Sequence, residues 1–253
     1  MSVRFFFAGC VLFLMTAFTE SVWAEDVTRV LVLSGQNNHN WRETTPVLKR
    51  ILEDAGGFTV DVTERPDRIN PASLKDVDVI LSNWNTLPGR VTTWPEPLRE
   101  AVLDHVREGG GFVVVHAGGT MFHDWDAFQR MIGATWGEGT GHGPIKEFEV
   151  HIVDEEHPVT AGLEDFTTTD ELWHNMVVNG PIHVLATAHS TRSGRNEPVA
   201  FVTDFGQGNC FNLVLGHDVA AMQSSGFRQL LTIGTRWAGG ASTAPSRTDD
   251  SHR

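Results

Sequence analysis

In the stretch GGGFVVVHAGGT, residues 109–120, three consecutive β-branched valines, Val113 to Val115, stand between a run of glycines and the small residues Ala117, Gly118 and Gly119. A run without polar alternation has no solvent face, so it reads as a central strand of a parallel sheet covered on both sides. Such a strand needs helices above and below it, which restricts the chain to an α/β architecture. The small residues that follow allow a tight strand-to-helix turn, where many α/β enzymes carry a nucleophile or bind an oxyanion. Here the turn holds His116, with neither serine nor cysteine beside it.

The flanking sequence repeats the strand–helix alternation. TRVLVLS (28–34) reads as a first strand, and ETTPVLKRILEDAGG (43–57) as a helix with Val47, Leu48, Ile51 and Leu52 at helical spacing and a stop at Gly56. FTVDVT (58–63) and VDVILS (77–82) read as strands two and three, and PLREAVLDHVREGG (97–110) as the helix before the valine strand. Right-handed crossovers between these units predict a doubly wound, mostly parallel sheet. From about residue 134 the rhythm changes. GATWGEGTGHGP reads as a glycine-rich loop, and EFEVHIV, PIHVLATAH and PVAFVTDFGQGNCFNLVL as strands that add antiparallel edges, the last segment folding as a hairpin around GQGN. FRQLLTIGTRWAGG closes the fold as a helix.

Three regions follow: a signal peptide over 1–24, one α/β domain over 25–240, and a polar, disordered tail over 241–253. The leader has Arg4, the apolar run FFFAGCVLFLMTAF, and Val22 and Ala24 at small-residue cleavage positions, and its alternative is an uncleaved anchor. FAGC (7–10) resembles a lipoprotein box with Cys10 acylated, although the apolar run continues past it. The expected location is periplasmic or secreted, with no membrane contact once the leader is removed. Cys210 would then be the one remaining cysteine, which rules out an intramolecular disulfide and suits a buried thiol. A formal net charge of −13 disfavours nucleic acid and suits a neutral or cationic small molecule. A homo-oligomer is compatible with all of this. With no tyrosine in the chain, proton transfer falls to His, Asp, Glu, Lys or water, while eight tryptophans offer either core packing or platforms for sugar rings.

In an open α/β sheet ligands bind at the carboxyl ends of the strands. His39 in SGQNNHNW, His116 after the valines and His217 in NLVLGHD all fall there, so they are expected to converge on one rim as ligands for a divalent metal such as Zn²⁺. His116, His217 and Asp218 are the candidate catalytic residues, Asp218 as the group that orients His217 or as a base, with capping of the next helix as its alternative. His39, Trp41, His142, Glu171, Trp173 and His174 are the candidate substrate contacts. Glu171 and His174 are three apart in DELWHN, the spacing of a ligand pair on a helical turn, unless the segment is a strand. His105, His123, His151, His157, His183 and His189 read as packing or solvent-facing residues.

SGQNNHNW, VVVHAGGT, DEEHPVTAGLEDF, DELWHN and LVLGHD, in this order and spacing over residues 28–239, resemble the ThuA-like (trehalose-utilisation) proteins. The resemblance implies a class I glutamine amidotransferase-like, flavodoxin-like fold without the amidotransferase cysteine, and a carbohydrate ligand. It implies a role with trehalose and related disaccharides whose oxidised 3-keto forms are intermediates, and a pocket lined by His39, His116, His174 and His217 with Asp218. DELWHN departs from the tyrosine-containing form of the family. The expected function is an exported lyase or hydrolase acting on a glycoside or 3-keto disaccharide. A non-catalytic carbohydrate-binding protein and a metal-dependent hydrolase of a non-sugar amide or ester are the alternatives.

Overall fold

The computed structural model describes residues 27–87 and 90–240. The expected signal peptide over 1–24, including Cys10, and the tail over 241–253 lie outside the described residues. Along the chain run β1 (Thr28–Leu33), α1 (Trp41–Asp54), β2 (Phe58–Thr63), β3 (Val79–Ser82), α2 (Glu96–Arg107), β4 (Gly111–Val115) and α3 (Asp126–Ile132). The second half contains β5 (Ala134–Thr135), β6 (Gly141–His142), β7 (Lys146–Ile152), β8 (Phe166–Asp170), β9 (Trp173–His174), β10 (Val177–Val178), β11 (His183–Ser190), β12 (Arg195–Phe205), β13 (Gly208–Leu213) and α4 (Ser225–Ala238). Among the described residues no helix is long and apolar enough to cross a membrane.

Nine strands form one sheet in the order β2-β1-β3-β4-β13-β12-β11-β7-β8. The first five are mutually parallel and the remaining pairs are antiparallel, so a large, mostly parallel sheet carries antiparallel edge strands. The valine strand is central, as its composition requires. Its side chains alternate between two cores. Val113 and Val115 join Leu48, Ile51 and Leu52 of α1 and Phe227, Leu230 and Leu231 of α4 on one face. Phe112 and Val114 join Leu98, Val102 and Val106 of α2 and Phe128, Met131 and Ile132 of α3 on the other. Each of these side chains stabilises the fold by about 1.5–3 kcal/mol through burial.

The β12–β13 hairpin turns at Gly206 and Gln207 as its GQGN sequence predicts, but β13 is not an edge strand. It inserts parallel to β4, pairing Leu213 with Val115. Cys210, Phe211 and Leu213 are fully buried, and a strand apolar on both faces gains more between two neighbours than at a rim. Burial pushes the Cys210 thiol up to about 12, which makes it inert.

Candidate functional site

The parallel registers align Leu33 with Ser82, Ser82 with Val114, and Val115 with Leu213. The segments leaving β1, β3, β4 and β13 therefore emerge on one rim, the ligand-binding edge of an open α/β sheet. After β4 the chain makes a 3₁₀ turn over His116–Gly119 with His116 at φ +47°. A β-carbon at Gly118 would collide with the Ser82 carbonyl, so the turn packs directly on the end of β3. Left-handed backbone at a histidine costs about 1–2 kcal/mol, and here it aims the ring along the rim.

Three imidazoles meet edge to face. The His39 ring lies 4.7 Å from His116 and 4.7 Å from His217, and His116 and His217 are 5.4 Å apart. Each has its Nδ1 on an outer acceptor. His116 Nδ1–H donates to the Val214 carbonyl at 2.7 Å, His39 Nδ1 meets Asn37 Oδ1 at 3.2 Å, and His217 Nδ1 faces Asp218 Oδ2 at 3.4 Å. A proton fixed on Nδ1 leaves Nε2 as a lone pair, the tautomer in which histidine binds a metal or accepts a proton. Burial, followed by the neighbouring charges of His116 and His217, pushes the His39 pKa down to about 3.

Glu171 sits among these rings. Its Oε1 lies 2.7 Å from His142 Nδ1, whose hydrogen bond is to the Gly143 carbonyl at 2.8 Å, and 3.9 Å from His217 Nε2. Its Oε2 accepts the Trp173 indole N–H at 3.2 Å and faces His116 Nε2 at 3.6 Å. Burial raises the Glu171 pKa, but His116, His142 and His217 outweigh it and hold the carboxyl at about 2. One ligand atom each from His39, His116 and Glu171 lies within 4.8 Å of the others. His116 Nε2 is buried without a hydrogen-bond partner, so two acceptor atoms face each other where a cation would satisfy both. The donor set of imidazole and carboxylate fits a divalent ion such as Zn²⁺.

Comparison with protein families matches residues 29–238 to ThuA, described as trehalose utilisation. The chain belongs to the ThuA family. A ThuA-like protein of Parabacteroides merdae is 30% identical, with 88% of this chain and 94% of that one covered and a TM-score of 0.76. A ThuA-like protein of Bacteroides uniformis, 18% identical over 88% of this chain and 98% of that one, has a TM-score of 0.67 and shares the fold. So does a cytoplasmic protein of Salmonella typhimurium, 12% identical over 83% and 99%, with a TM-score of 0.62. No curated protein matches the chain.

Of the residues that the ThuA resemblance assigned to the pocket, His39, His116, His217 and Asp218 come together, and Glu171, Trp173 and His142 join them. His174 does not. DELWHN is not a helical turn: Asp170 ends β8 and Trp173–His174 form β9, so Trp173 turns to His116 while the His174 ring packs over Gly141. Trp41 begins α1 with Arg42 over its ring at 4.1 Å, so a guanidinium covers the face a sugar would need. Asp218 Oδ2 faces His217, while Oδ1 accepts the Ala221 N–H at 2.9 Å in a short 3₁₀ turn over Ala221–Gln223; it does not cap the next helix, because α4 begins only at Ser225. Burial opposes its ionisation, but these two partners hold it below the usual carboxylate range.

Sequence reasoning missed the residues that fix the rim. Asn85 Nδ2 donates to Asn37 Oδ1 at 2.9 Å and to Asn38 Oδ1 at 2.6 Å, and Asn83 Nδ2 to Thr44 and Thr45. Asn37 then presents its oxygen to His39. The signal was their position, since SGQNN and SNWN end parallel strands. Asp170 accepts backbone N–H from Gly216 (2.7 Å), His217 (3.2 Å) and Glu171 (2.7 Å), and so registers two distant segments of the site.

Proposed function

We propose that this ThuA-family chain is an exported, periplasmic or secreted enzyme that deprotonates an oxidised sugar of the 3-keto glycoside class, with metal assistance. The observation that carries the reading is the set of three imidazoles with Nδ1 anchored and Nε2 free around one carboxylate. The strand order β2-β1-β3-β4-β13, with helices on both faces, supports a doubly wound, flavodoxin-like and amidotransferase-like frame for it.

His39, His116 and Glu171 would hold the ion, and Asn37 and the Val214 carbonyl fix the two rings. A divalent ion there supplies Lewis-acid polarisation of a substrate carbonyl. His217 is left as the base: it is partly exposed at the mouth, and Asp218 holds its Nδ1–H so that Nε2 is free. A hydrogen on the carbon next to a ketone is acidified, so His217 Nε2 takes it while the C–H electron pair moves toward the ketone oxygen. Return of the proton at the neighbouring carbon isomerises the sugar; alternatively the enolate re-forms the ketone with a C=C bond as the C–O bond to the glycosidic oxygen breaks, and that oxygen takes the proton from His217 Nε2 and leaves as an alcohol.

The test is proton NMR of 3-keto-trehalose in D₂O with the mature protein. Exchange of the protons flanking the ketone, or product formation, at least tenfold above buffer and lost in His217→Ala is expected. Binding without exchange in the metal-loaded protein would leave a carbohydrate-binding protein, and hydrolysis confined to non-sugar amides or esters would leave the hydrolase.

A further inference from the structure

A sugar ring held at this rim needs an aromatic face, and with no tyrosine in the chain the tryptophans are the main source. Most of them are unavailable. Trp84 and Trp94 are 1% and 2% exposed, Trp125 carries Arg99 over its ring, and Trp237 packs against His157 on α4. Trp41 is covered by Arg42, and Trp173 is 4% exposed with its indole N–H committed to Glu171. Trp136 remains among the described residues: half-buried, edge-on to Trp173 at 5.0 Å, and 5.8 Å from the ring of His142. It packs against the buried cluster of Ala117, Ala134, Trp173, Phe201 and Val214, which anchors the indole. The glycine-rich loop after it is tied down as well, by Thr140 Oγ1 to the Asn175 carbonyl and by Gly143 N–H to the Leu172 carbonyl.

We propose that Trp136 is the stacking platform of a subsite for a neutral pyranose ring, placed beside His142 and Glu171. The inference rests on the sugar-enzyme reading and names the substrate's chemical class. An anchored indole loses little freedom when a ring covers it, so its apolar area goes into affinity. The indole face meets the apolar C–H face of a pyranose, so an uncharged ring is enough to fill it.

Saturation-transfer NMR and calorimetry with trehalose and 3-keto-trehalose test this on the full mature chain loaded with Zn²⁺. The wild type should bind both neutral disaccharides. Trp136→Ala should weaken that binding by about tenfold or more, and Trp136→Phe, which keeps a ring, by about two- to threefold, with metal content and circular dichroism unchanged. Trp136→Ala binding as tightly as wild type would overturn the platform and leave the enzyme reading standing. Binding of no sugar by the wild type would overturn both.

Discussion

The buried Nε2 of His116 faces the Glu171 carboxylate at 3.6 Å while its Nδ1–H is spent on a backbone carbonyl, an arrangement stable only with a cation or proton between the two. Elemental analysis of tag-free protein should find about one zinc per chain after reconstitution. His116→Ala and Glu171→Gln should lower occupancy at least tenfold at micromolar metal, because losing one of few ligands removes much of the affinity. His174→Ala should leave it unchanged; loss of metal in His174→Ala alone would contradict the ligand set. His39 makes a second measurement possible on the metal-free chain. Its pKa falls from 6.5 to about 3 on folding, so between these values the unfolded chain binds the proton more readily and stability drops as pH falls through the window. His39→Gln should flatten that slope in urea titrations, by about 2 kcal/mol between pH 7 and 4 after allowing for solvent at the ring. Equal slopes in the two proteins would show that the ring titrates normally.

The turn after β4 is where an element, not a side chain, decides the site. Gly118 lies against the Ser82 carbonyl, so Gly118→Ala must shift β3 or the turn, at a cost of about 2–3 kcal/mol in chemical denaturation and with loss of metal affinity. Unchanged stability would mean that the two strand ends can part freely. This turn was legible in the sequence, because Val113–Val115 followed by Ala117–Gly119 admits few other structures. The convergence of His39, His116 and His217 was legible for the same reason: each follows an apolar run that can only be a strand of one sheet. The place of β13 was not, since GNCFNL reads alike at an edge or in the middle, and the choice is made by β4, nearly a hundred residues earlier. Nor was the fate of DELWHN, where two-residue pairing of β6 with β9 overrides a spacing that suits a helix equally well. Trp136 escaped for a different reason. A tryptophan in a glycine-rich loop carries no period, and its partners Trp173 and His142 are fixed only by tertiary contacts.

Across the molecule the parallel and antiparallel halves share one core. Leu185 and Ala186 of β11 and Val150 of β7 belong to the same buried cluster as Val30 of β1 and Leu48 of α1, and β13 is bonded to a parallel neighbour on one side and an antiparallel one on the other. Separate unfolding of either half would expose that shared surface, so the chain should unfold as one unit. Leu185→Ala provides the test because it lies in the antiparallel half, whereas Trp84, Trp94 and Trp125 all pack in the core beneath β3 and β4. Leucine-to-alanine truncation at a fully buried site costs about 2–5 kcal/mol. If the core is continuous, the urea midpoint read by tryptophan fluorescence moves by the same amount as that read by far-ultraviolet circular dichroism, although the mutation touches no tryptophan of that cluster. An early fluorescence phase from Trp136 and Trp173, matched by circular dichroism and followed by a later phase from Trp84, Trp94 and Trp125, would mean that the antiparallel half melts alone. The rim would then lose Glu171 and Trp173 while keeping His39 and His116, so metal affinity would vanish with the early phase and before the core tryptophans respond.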